Sequence, residues 1–131
     1  MKKYLLCFGI VLLFLFLMLS CSKKEYNNIN LKKALDLMTK STNLILLDVR
    51  TPEEYMAGSV PNSVNIDVLN TDFTSKINLL DKNRDYIVYC RSGNRSTIAS
   101  SIMSTNGFLH VYNLVNANYE DFVNAILTNN Q

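Results

Sequence analysis

The chain has little of several things that would point to a site at once. Its 131 residues include no tryptophan, one histidine, two prolines, four glycines and three cysteines. So few cysteines cannot build a disulfide framework. No metal-ligand motif stands out, and neither a metal nor a cofactor is expected. An excess of one charge is also missing. Thirteen basic and eleven acidic residues leave a formal net charge of +2, and Lys2 and Lys3 account for all of it. A neutral body without a basic block argues against nucleic-acid binding. There is no internal repeat, and the 17 asparagines are scattered rather than gathered in a low-complexity tract. The longest apolar run, Leu5–Leu19, has 15 residues broken only by Gly9. That is short of the roughly 20 a membrane-crossing helix needs.

What is present divides the chain in two. Residues 1–21 hold 17 apolar side chains behind the positive Lys2-Lys3, the layout of an export signal. The run ends Leu17-Met18-Leu19-Ser20-Cys21, which resembles the lipobox of bacterial lipoproteins. That resemblance implies that residues 1–20 are a signal peptide and that Cys21 receives a lipid and becomes the mature N-terminus. Several acyl chains there would suffice for stable membrane attachment. Residues 21–28 then read as the lipidated cysteine and a polar tether, and 29–131 as one domain. The expected location is a bacterial cell envelope, exported and lipid-anchored on its periplasmic or outer-surface side. With Cys7 lost and Cys21 lipidated, Cys90 is the one thiol left.

The domain alternates helical and extended patterns. Asn30 is placed to cap a helix with Leu31, Ala34, Leu35 and Met38 on one face. Leu44–Val49 is an apolar run suited to a strand buried on both faces. Thr51-Pro52-Glu53-Glu54 gives a cap, a first-position proline and first-turn acids. A short strand is expected over Val64–Val68, then a helix capped by Asp72 through Phe73, Ile77 and Leu80. Tyr86–Tyr89 is a second buried strand. A helix with Ile98, Ala99, Ile102 and Met103 inward follows, stopped by Asn106-Gly107. Leu109–Leu114 is a further strand, and Tyr119–Leu127 a last helix with Phe122, Val123 and Ile126 on one face. This alternation indicates an α/β domain with a parallel sheet. Ligands in such sheets bind beyond the carboxyl ends of the strands, where Cys90 falls.

The segment after Tyr89 has the chemistry of an anion site around a nucleophile. In Cys90-Arg91-Ser92-Gly93-Asn94-Arg95-Ser96, a thiol ends a strand and a tight loop leads at once into a helix. Loop amides and a helix N-terminus directed at the sulfur stabilise a thiolate. Gly93 is suited to the positive φ such a loop needs. Arg91 and Arg95 are unfavourable for the helix dipole unless an anion occupies the loop.

At this point the sequence resembles the rhodanese-type sulfurtransferases. Leu46–Tyr55 is similar to their first signature, Val60–Ile66 to its continuation, Tyr86–Ser96 to their active-site strand and loop, and Val111–Leu114 to a late strand. The resemblance implies a mostly parallel five-stranded sheet with helices on both faces. It implies that Cys90 takes a sulfane sulfur from a small anionic donor such as thiosulfate, becomes a persulfide and passes the sulfur to a thiol or cyanide. Residues 91–95 would cradle that sulfur, Arg91 and Arg95 would attract the donor, and Asp48 and Arg50 would support the loop. A monomer is expected, with a small sulfur-containing anion, a thiol acceptor and the membrane as its partners. The sequence departs from the family pattern at Ser59 (usually His), Asn62-Ser63 (usually Gly-Ala) and Asn116-Ala117 (usually Gly-Gly). A nearby tryptophan is absent, with Tyr119 and Phe122 in its vicinity.

Phosphatase or arsenate-reductase chemistry also uses a cysteine-to-arginine loop. Four residues separate Cys90 from Arg95, however, where those loops place five, and the shorter cradle favours sulfur. A non-enzymatic redox- or sulfur-sensing module is a third reading. His110 is expected on a strand surface rather than in a dyad with Cys90. Glu53 and Glu54 are expected to be first-turn helix acids rather than general acids.

Overall fold

The computed structural model describes residues 1–4, 7–11 and 25–129. The Leu17–Cys21 motif, including the lipidation candidate Cys21, lies outside the described residues. Among those described, no helix is long and apolar enough to cross a membrane.

Five strands, β1 (Asn27–Ile29), β2 (Leu44–Asp48), β3 (Val64–Asn65), β4 (Asp85–Tyr89) and β5 (His110–Leu114), form one sheet in the order β1-β5-β4-β2-β3. Every pairing is parallel. Five helices connect or follow them: α1 (Leu31–Lys40), α2 (Pro52–Ala57), α3 (Phe73–Ile77), α4 (Asn94–Thr105) and α5 (Tyr119–Asn129).

Strand alternation sorts the core into two layers. Along β4, Tyr86, Val88 and then Cys90 join Phe73 and Ile77 of α3 and Ala99 and Met103 of α4. Ile87 and Tyr89 point the other way, toward Ala34 of α1 and Phe122 of α5. Both layers are apolar, so β4 is buried along nearly its whole length, as a central parallel strand requires. An edge-to-face pair closes each layer: Tyr86 on Phe108 at 5.3 Å and Tyr89 on Phe122 at 5.5 Å.

The chain leaves β2 toward β3 and leaves β4 toward β5, in opposite directions along the sheet. Adjacent strands whose onward connections diverge open a crevice at their carboxyl ends. Here it lies between Asp48 and Tyr89, which face each other in register.

Four expectations change. Asn27 and Asn28, expected within the tether over 21–28, belong to β1 and pair with Tyr112 and Asn113. The strand expected over Val64–Val68 shrinks to Val64–Asn65. Asp72 precedes α3 but makes no capping hydrogen bond, and pairs instead with Lys76 at 3.0 Å. Ile98 is 53% exposed, while Ser96 and Ser100 are buried with Ala99 and Met103. The inward stripe of α4 is therefore Ser96, Ala99, Ser100 and Met103, and its small side chains suit a helix packed closely on the sheet.

Candidate active site

Cys90 ends β4 and is only 3% exposed. The chain turns at once: Gly93 has φ +98°, and α4 begins at Asn94. That left-handed step aims loop donors back at the sulfur, with the Gly93 N–H 3.0 Å from Sγ. Ser96 Oγ lies 3.6 Å from Sγ and donates to the Gly93 carbonyl at 3.0 Å. Burial pushes the Cys90 thiol up. The Ser96 hydroxyl and the N–H groups of Ser96, Ser92 and Gly93 outweigh it, and the net shift is downward from the ordinary thiol value. The loop thus favours a thiolate chiefly with dipoles aimed at the sulfur.

Arg91, Ser92 and Asn94 are exposed around this cradle. Arg95 takes a role the sequence did not indicate. Its two terminal nitrogens donate to both Glu54 oxygens, at 2.6 and 2.8 Å. Glu54 also completes a capping box with Thr51 at the start of α2. The Arg95 hydrogen bonds, working against burial and helped by Thr51, hold the Glu54 carboxyl down at about 2. Arg95, which the resemblance implies attracts the donor anion, is thus paired with a carboxylate of the protein itself. Glu54 is a first-turn acid, as expected, and it also joins α2 to the first turn of α4. The only sequence signal for this was the presence of both charges in motifs that border the site.

Asp48 and Arg50 form a second pair, almost wholly buried. Asp48 Oδ1 accepts from the Arg50 backbone N–H at 2.9 Å, and Oδ2 accepts from Nη2 at 2.7 Å. Nη2 also donates to the Gly58 carbonyl at 2.6 Å, and the Tyr119 ring covers the guanidinium at 4.1 Å. Gly58 leaves room for Tyr119: a Cβ there would meet the Tyr119 hydroxyl and force that ring to shift. This pair fixes the end of β2, the turn after α2 and the start of α5 around the crevice.

The departures from the family pattern find physical reasons. Asn62 and Asn116, standing where glycines are usual, adopt φ +62° and +58°; asparagine tolerates this left-handed region better than other non-glycine residues. Ser63 receives a hydrogen bond from the buried Tyr89 hydroxyl at 3.1 Å and donates to the Val60 carbonyl at 2.7 Å. His110 is exposed at the first position of β5, at the opposite end of its strand from the crevice.

Beside the Cys90 loop lies a cavity of about 310 Å³ lined by Arg50, Glu54, Ala57, Gly58, Arg91, Tyr119 and Glu120. A larger groove of about 610 Å³ runs between α1 and the end of α5, at Leu31, Leu35, Thr39 and Asn129. Lys32 and Asp36 also line it, and it contains no cysteine and none of the residues of the cavity beside the Cys90 loop.

The rhodanese-like domain family model matches residues 30–122. Over 99 residues the chain is 37% identical to a tRNA uridine(34) hydroxylase of Pelagibacter ubique, covering 75% of this chain but only 33% of that protein. It is 28% identical over 88 residues to a sulfurtransferase of Allochromatium vinosum, covering 67% of this chain and 80% of the relative. Among solved structures, a rhodanese-related protein from Thermoplasma volcanium superposes with a TM-score of 0.64 at 28% identity, over 76% of this chain and 93% of that one. With the family model matching most of its length, the chain belongs to the rhodanese-like domain family.

Proposed function

We propose that this protein is a sulfurtransferase that carries a sulfane sulfur as a persulfide on Cys90. The observation that supports this most directly is the cradle: a buried sulfur at a strand end, with its thiolate favoured by the N–H groups of Ser92, Gly93 and Ser96. In the first half-reaction the Cys90 thiolate attacks the outer sulfur of a donor such as thiosulfate. That sulfur's bond to the sulfonate breaks, sulfite leaves with the electron pair, and the negative charge passes to the terminal persulfide sulfur. The loop N–H groups are placed to stabilise that charge. Since Arg95 is paired to Glu54, Arg91 is the arginine available to draw in the donor. The acceptor, a thiolate or cyanide, then attacks the terminal sulfur and releases Cys90 as a thiolate.

The hydroxylase relatives span far more chain than the part shared here, so their activity as a whole is not carried over. A phosphatase reading is less well supported, because the loop from Cys90 to Arg95 is short and its arginine is engaged.

Full-length protein should release thiocyanate from thiosulfate and cyanide, and Cys90→Ser should release none. Donor-treated protein should gain about 32 Da at Cys90, removable by reductant. Hydrolysis of an aryl phosphate without thiocyanate release would overturn the proposal.

We further propose that the lipobox-like segment anchors the domain to a bacterial envelope membrane through lipid on Cys21. Expressed in a bacterium, the protein should fractionate with membranes and incorporate labelled palmitate, and Cys21→Ser should lose both. Palmitate-free protein in the soluble fraction would exclude the anchor.

A further inference from the structure

Internal pairing leaves the cavity beside the Cys90 loop, which Arg91 joins to the nucleophile, with two unspent charges. Arg50 is engaged by Asp48 and the Gly58 carbonyl, and Glu54 by Arg95 and Thr51. Of the charged groups in the lining, Arg91 and Glu120 remain. Both are exposed, and neither has an ion-pair partner among the described residues. They come from different elements, Arg91 directly after the nucleophile and Glu120 from the first turn of α5. Glu120 is not needed to start that helix. Asn118 and Asp121 already cap it reciprocally, at 2.7 Å from the Asp121 N–H to Asn118 Oδ1 and 3.3 Å from the Asn118 N–H to Asp121 Oδ2. The rest of the lining is Ala57, Gly58 and the Tyr119 ring, and about 310 Å³ suits a small molecule.

We propose that this cavity is the acceptor subsite and that it takes a small thiol carrying both an ammonium and a carboxylate group. The carboxylate faces Arg91 and the ammonium faces Glu120. The proposal rests on the sulfur-transfer reading above and adds the class of acceptor. One free charge of each sign suits a zwitterion. A dianion such as thiosulfate gains from Arg91 but is opposed by Glu120, so donor and acceptor respond to the acid with opposite sign. In the transfer itself, the acceptor thiol loses its proton to water and its thiolate attacks the terminal sulfur of the Cys90 persulfide. A new sulfur–sulfur bond forms on the acceptor as the old one breaks, and Cys90 departs as a thiolate. No outside oxidant or reductant is needed.

The test uses full-length persulfidated protein and three thiols: cysteine, 3-mercaptopropionate (no ammonium) and cysteamine (no carboxylate). Rates are compared per unit of thiolate and divided by each thiol's rate with a free low-molecular-weight persulfide, because the three thiols differ both in ionisation and in the intrinsic nucleophilicity of their thiolates. Cysteine should exceed each of the others by about threefold to fivefold, the scale of one exposed charge contact. Glu120→Gln should abolish the advantage over 3-mercaptopropionate and lower the KM for thiosulfate. Damage to the fold would not improve one substrate while weakening another. Equal rates for the three thiols, or a Glu120→Gln protein slowed alike with all of them, would overturn the acceptor assignment and leave sulfur transfer standing. Failure of Cys90 to form a persulfide with any donor would instead remove the reading on which it rests.

Discussion

Two arginine–carboxylate pairs flank the Cys90 loop, and they differ in almost every physical respect. Asp48 and Arg50 are two residues apart, with side chains 0% and 4% exposed. Glu54 and Arg95 are 41 residues apart and partly in water, at 32% and 21%. The first pair is a local plug. It ends β2, bonds the Gly58 carbonyl and lies beneath Tyr119, so its charges are enclosed and its geometry is fixed. The second pair is a strap between two helices, one on each side of the crevice. A buried pair contributes little net stability while intact but is costly to break from one side. A half-exposed pair contributes modestly and can be removed without leaving a buried charge. The plug therefore protects the shape of the site, and the strap adjusts the charge around the sulfur.

Breaking the plug should produce the larger effect. Arg50→Met removes the partner of a fully buried carboxylate and leaves the Gly58 carbonyl without its donor. The expected loss is about 3–5 kcal/mol, read as a shift in the urea midpoint at unchanged slope. Sulfur transfer should fall with it, because Tyr119 loses the group it stacks on. A variant as stable as the parent would mean that Asp48 finds another partner, and the contrast between the two pairs would collapse.

The same contrast separates what the sequence made legible from what it did not. Local signals were readable. Asn30 caps α1 by accepting from the Lys33 N–H at 2.9 Å, Thr51 opens α2 with its capping box, and Gly93 and Gly107 take positive φ where the chain must turn. Cys90 and its loop were readable because every part of the cradle lies within seven consecutive residues. The Glu54–Arg95 strap was not, since helical periodicity gives the face of each residue but not which distant helix that face meets. β1 was missed for a related reason. Asn27 and Asn28 carry no hydrophobic pattern and become a strand through backbone pairing to β5, aided by Asn113 Nδ2 donating to Asn28 Oδ1 at 2.9 Å. Ile98 was misplaced because two stripes of α4 share helical spacing. Hydrophobicity favoured the stripe with isoleucines, whereas close packing on the sheet selected the one with serines and alanine.

Cutting the strap should have the smaller effect on stability and a distinct effect on chemistry. Glu54→Gln keeps the side-chain volume but removes the charge facing Arg95, at an expected cost of about 1 kcal/mol at neutral pH. The sign of its pH dependence follows from the carboxyl held at about 2 in the fold, below the ordinary glutamate value near 4.3. A depressed acid stabilises the fold fully above its unfolded value and loses that contribution as pH falls toward the folded one. The stability gap between wild type and Glu54→Gln should therefore be widest at pH 7 and visibly narrower at pH 3 in matched urea titrations. Arg95 also interacts favourably with the Cys90 thiolate. Removing the negative charge of Glu54 should let more of that attraction reach the sulfur. Thiolate absorbance near 240 nm should then titrate at lower pH in the variant, although the fold is weaker. A Cys90 that titrates higher would show instead that the strap's main task is to keep the Gly93 and Ser96 donors aimed at the sulfur, making Glu54 a positioning residue rather than a charge regulator.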